Sequence, residues 1–76
     1  MNAKRDLLLS AAHFASLSAS RRKLGRYWQE QSQIAQKIDK RYVGVYHEQA
    51  VAYFKTAQEY QTKAAQLKAM ADAITE

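Results

Sequence analysis

Cysteine and proline are absent from the 76 residues, and glycine occurs only at Gly25 and Gly44. Without cysteine no disulfide can staple a small fold, and no Cys/His cluster can hold a structural metal. Without proline nothing in the chain imposes a helix break. A chain this short buries little core by itself, so association with another chain is the remaining source of buried area. The lack of cysteine fits a reducing compartment, and the cytoplasm is the expected location. Long apolar runs are missing as well. Leu7-Leu8-Leu9-Ser10-Ala11-Ala12 follows the basic Lys4-Arg5 pair, but His13 ends it far short of the roughly 18 apolar residues a membrane helix needs. No membrane partner is expected.

The constellations that carry chemistry are equally thin. His13 and His47 stand far apart in sequence, and neither has an acidic residue at ligand spacing. His47-Glu48 starts like a zinc-protease motif, but the second histidine would fall at Val51. Glu30, Glu48 and Glu59 are scattered among Lys and Arg, as expected for surface pairing, and no glycine-rich phosphate loop exists. The reading is a non-enzyme without metal or cofactor.

What the chain does contain is helix-forming sequence rich in Ala, Gln, Lys, Glu and Leu. Positions seven apart read Leu7, Phe14, Arg21, Trp28, Ala35, Tyr42, and the set three residues later reads Ser10, Leu17, Leu24, Gln31, Ile38. Eight of these eleven are apolar, which predicts a helix packed along one stripe. The second half is cleaner. Val43, Ala50, Ala57, Ala64, Ala71 alternate with Tyr46, Tyr53, Tyr60, Leu67, Ile74. Small residues at one seam position let helix backbones approach closely while the large ones fold over them. A matching row of small residues runs through Ala11, Ser18, Gly25 and Ser32.

Together these patterns predict an all-α, antiparallel two-helix hairpin, with helices over about 4–41 and 46–75. The turn is placed at Gly44, as a left-handed terminator preceded by the basic residues Lys40 and Arg41. The alternative is a three-helix bundle broken near Ser18–Ser20, because serine favours caps and Gly25 costs a further ~1 kcal/mol inside a helix. A hairpin covers only one side of each helix, so a homodimer forming a four-helix bundle is expected.

Two local resemblances add little. Ser32-Gln33-Ile34-Ala35-Gln36-Lys37-Ile38 resembles part of a helix-turn-helix motif, with Asp39 where that motif has its turn glycine. Tyr46 to Ala57 resembles the second helix of a tetratricopeptide repeat and implies helix–helix packing.

Candidate partner-binding residues are those apolar or aromatic side chains the seam does not absorb, with Trp28 beside them: Tyr27, Trp28, Ile34, Val51, Phe54 and Met70. Residues 1–45 hold nine Lys/Arg against three Asp/Glu, or +6, whereas 46–76 hold three against four, or −1. Arg21, Arg22, Lys23, Arg26, Lys37, Lys40 and Arg41 therefore form a candidate basic surface for an acidic protein or, as the alternative, nucleic acid. The first reading is a small interaction module: a regulator, adaptor or inhibitor that sequesters a larger protein, in the manner of compact inhibitors encoded by viruses or mobile elements.

Overall fold

The computed structural model describes residues 2–74. Two long helices, α1 (Ala3–Ile38) and α2 (Val43–Asp72), lie against each other and are joined through Asp39 and a single 3-10 turn at Lys40–Tyr42. Phe14 pairs with Tyr60, Ser18 with Ala57, Trp28 with Tyr46 and Ser32 with Val43, so the helices run antiparallel. The molecule is an all-α hairpin in the form of a rod, 58 × 12 × 12 Å.

Local chemistry explains each helix end. The Asn2 side chain accepts a hydrogen bond from the Arg5 N–H at 3.0 Å and caps α1, and Asp6 places negative charge in the first turn. At the other end Asp39 leaves the helix in an extended conformation. Its carboxylate then accepts from the Arg41 N–H at 3.1 Å and pairs with the Arg41 guanidinium at 2.7 Å. One aspartate thus ends α1 and caps the turn that leads into α2.

This corrects the expected boundaries of 4–41 and 46–75. Lys40 and Arg41 belong to the connecting turn, and Gly44 lies within the first turn of α2 facing open space. No residue among those described has a positive φ. A side-chain cap makes a left-handed glycine unnecessary. The expected end at 75 lies outside the described residues. The three-helix alternative is also set aside, because α1 runs unbroken through Ser16–Ser20. Ser18 does not compete with its own helix: its hydroxyl donates across the interface to the Ala57 carbonyl at 2.8 Å. Ser32 does the same to the Val43 carbonyl at 3.2 Å.

The core is a single file of small residues. Ala11, Ser18, Gly25, Ser32 and Ala35 are buried on α1, and Ala50, Ala57 and Ala71 on α2. Ala57 and Ala71 have no exposed surface at all, yet no large side chain among the described residues is fully buried. Backbones in near contact therefore hold the hairpin, with large side chains clasping the edges. On α2 this is the expected arrangement, with Tyr46, Tyr53, Tyr60, Leu67 and Ile74 half-buried beside the alanine row.

On α1 the expected seam is rotated. The small row is central, and Leu7, Phe14, Arg21 and Trp28 flank it on one side. Leu24 and Ile38, expected inside the seam, turn outward, and Ile38 is 80% exposed. Close approach selects the smallest residues for the contact line. At about 100° per residue, this swings the row through Leu24 and Ile38 to the side of the helix.

Candidate interaction surface

Pairs across the hairpin define its two broad faces. Phe14 meets Tyr60 with ring centroids 5.9 Å apart, and Trp28 meets Tyr46 at 5.5 Å. The row Leu7, Phe14, Arg21, Trp28 and the row Tyr46, Tyr53, Tyr60, Leu67 consequently share one face. Near the turn Tyr42 stacks on Tyr46 at 6.0 Å, and Tyr27 meets Trp28 edge-on at 5.2 Å. Leu24 and Ile38 border this face, and a shallow groove of about 190 Å³ opens between Ile34, Ile38, Tyr42 and Tyr46.

The opposite face is anchored by different contacts. The Arg22 guanidinium donates to the Gln61 side-chain oxygen, and Phe54 lies over Gly25. A groove of about 380 Å³ runs along this side between Leu8, Ala12, Ala15, Ala65 and Lys68. Apart from Phe54, alanine, glutamine and basic side chains dominate here, in place of a row of aromatic rings.

The six candidate partner residues do not form one patch. Trp28 is half-buried in the aromatic face, and Met70 is exposed along its α2 edge towards the open end. Tyr27 and Ile34, each about half exposed, project from the outer side of α1 next to Leu24 and Ile38. Val51 lies on the alanine face. Phe54 is half-buried against Gly25, which places it in the hairpin interface and corrects the expectation that it stands free.

The seven basic residues divide likewise. Arg21 sits half-buried in the aromatic row between Phe14 and Trp28, and Arg22 is engaged with Gln61. Lys23 and Lys37 project from the outer side of α1, Arg26 stands on the alanine face, and Lys40 and Arg41 lie in the turn. Sequence reasoning missed Phe14, Tyr42, Tyr46 and Tyr60 as members of a surface, because it assigned them to a closed seam. Their common face became legible only once the small row was known to be central.

No family model, curated protein or solved structure matches this chain. No helix among the described residues is long and apolar enough to cross a membrane, and no group of three His, Cys, Asp or Glu among them could hold a metal.

Asp39 and Arg41 shift each other's ionisation through their contact in the turn. The Arg41 guanidinium, and then its backbone N–H, hold the Asp39 carboxyl below the usual aspartate range, while the same contact raises Arg41. A carboxyl lowered on folding stabilises the turn fully above the ordinary aspartate range, and that contribution disappears as pH falls through the lower folded value. NMR titration of Asp39 should give a midpoint below the free-aspartate value, and Arg41→Ala should return it upward. Equal midpoints in both proteins would show that the guanidinium–carboxylate pair is not formed in solution, since Arg41→Ala keeps the backbone N–H that caps the turn.

Proposed function

We propose that this chain is a non-catalytic helical interaction module, a regulator, adaptor or inhibitor that works by packing its aromatic face against protein. One observation carries the reading: among the described residues the buried core contains nothing larger than serine, while the aromatic and large aliphatic side chains lie half-buried or exposed. The accessible surface is 5792 Å², whereas a compact monomer of 8.7 kDa exposes about 4,700 Å². The radius of gyration is 17.2 Å against about 11 Å for a compact 76-residue domain. Surface this apolar and this extended marks an interface. Tyrosine, tryptophan and arginine, concentrated here as Tyr46, Tyr53, Trp28 and Arg21, are the residues that dominate binding energies.

A photo-reactive residue at position 24, in the native host, tests this directly. Covalent adducts with protein are expected there, and none with the same group at Ala19 on the alanine face. Replacing Tyr27 by Ala should reduce the adduct yield several-fold while leaving helicity unchanged. Absence of protein adducts at position 24 would reject the reading. A nucleic-acid role would draw on basic side chains gathered along one strip, and here they are divided between faces, outer side and turn. Binding of a random duplex that weakens steeply with salt would favour that alternative.

A further inference from the structure

We infer that the aromatic face is covered by a second copy of this chain, with the two turns at the same end of a four-helix bundle. The inference rests on the interaction reading and names the occupant of the face.

The exposed area of the hairpin matches what a second copy would cover. Two separate hairpins expose twice 5792 Å², and a compact protein of their combined mass would expose about 3,700 Å² less. Burying about 1,900 Å² per copy falls in the class of obligate homodimers. A single helix laid in the groove near the turn would leave most of the 58 Å face uncovered.

The face is also self-complementary, as a two-fold interface requires. Within one hairpin the α1 row already matches the α2 row level by level: Phe14 with Tyr60, Trp28 with Tyr46. A two-fold axis parallel to the rod lays each row over the other row of the second copy at the same level, so pairings that already fit are repeated between copies. The axis also settles Arg21. This charge is half-buried in the middle of the apolar row, and the single ion pair among the described residues is Arg41–Asp39 elsewhere. In the same-end arrangement the guanidinium meets Tyr53 of the partner subunit, a cation–π pairing. With the turns at opposite ends, α1 would cross α1 and the two Arg21 side chains would oppose each other.

Sedimentation of the full chain should give a particle of twice 8.7 kDa. Leu24→Glu, which alters a side chain outside the hairpin contact line, should weaken dimerisation by at least about a hundredfold, since each dimer would bury the charge twice. Its helicity should be retained. Val51→Glu on the other face should leave the dimer intact. With no native cysteine, Lys40→Cys accepts a single spin label, and the two labels should lie within about 30 Å in the same-end bundle. Opposite-end turns would separate them by about 55–60 Å, from a rise of 1.5 Å per residue over the distance to Arg21.

A separation of 55–60 Å overturns the proposal, as does a dimer broken by Val51→Glu but not by Leu24→Glu. A chain that stays monomeric yet forms adducts at position 24 assigns the face to a different protein. That outcome overturns the second copy and leaves the interaction reading standing.

Discussion

Ala57→Leu should lower the melting temperature by about 12–24 °C, the shift expected for about 3 kcal/mol in a domain of this size. Ala57 is fully buried, and its carbonyl accepts the Ser18 hydroxyl at 2.8 Å, so the helix backbones approach closely at this level. A leucine adds three carbons where no space exists, and no rotamer can direct them to solvent without separating the helices. Overpacking of this kind costs about 1–3 kcal/mol in ordinary cores. The upper end applies here, because separation at Ala57 also loosens the contacts at Ala50 and Ala71. Ala69→Leu on the exposed side of α2 is the matched control and should stay within about 0.5 kcal/mol of the parent. Circular dichroism melts of both variants decide the matter. Equal melting temperatures would show that the alanine row is not the contact line.

The second large effect concerns Phe54 and Gly25. A β-carbon built on Gly25 would lie 2.8 Å from Phe54 Cε1 and 2.9 Å from Cδ1, so the ring occupies the space that glycine leaves. Phe54→Ala should cost about 2 kcal/mol, less than the 3–5 of a fully buried phenylalanine because the ring is only partly buried. Gly25→Ala gains about 1 kcal/mol of helix propensity but pushes the ring off its seat, so it should not stabilise the parent protein. In the Phe54→Ala background the obstruction is gone, and the same change should stabilise by about 1 kcal/mol. The double-mutant cycle therefore has a coupling of defined sign. Simple additivity would mean that Phe54 and Gly25 are not in contact.

These two sites show where the sequence was legible. The composition and the spacing of Ala50, Ala57, Ala64 and Ala71 pointed to a close-packed hairpin, and the row Ala11, Ser18, Gly25, Ser32 was visible as its counterpart. Hydrophobicity then favoured the wrong stripe of α1. Leu17, Leu24 and Ile38 are more apolar than Ser18, Gly25 and Ser32, yet when backbones nearly touch, volume decides which row lies between them. Phe54 was misplaced for the same reason, since a missing side chain at position 25 is a pocket that no periodicity count registers. The turn was misread because Gly44 is the conspicuous signal, whereas Asp39 works through carboxylate hydrogen bonds that leave no mark in residue spacing. Seven of the eight aromatics lie between positions 27 and 60, in the half of an antiparallel hairpin nearest its turn. Their division from Phe54 and Val51 onto opposite sides required the rotation of α1.

The direct junction through Asp39 also orders how the hairpin assembles. Ser32 and Val43 close a segment of 11 residues, whereas Ser18 and Ala57 close one of 39. Loop closure costs about 0.6 kcal/mol more for each doubling of length, so contacts next to the junction form most cheaply and each makes the next one short. Association of the helices then proceeds like a zipper from Asp39 outward, and the ends at Leu7 and Leu67 are the last to meet and the first to part.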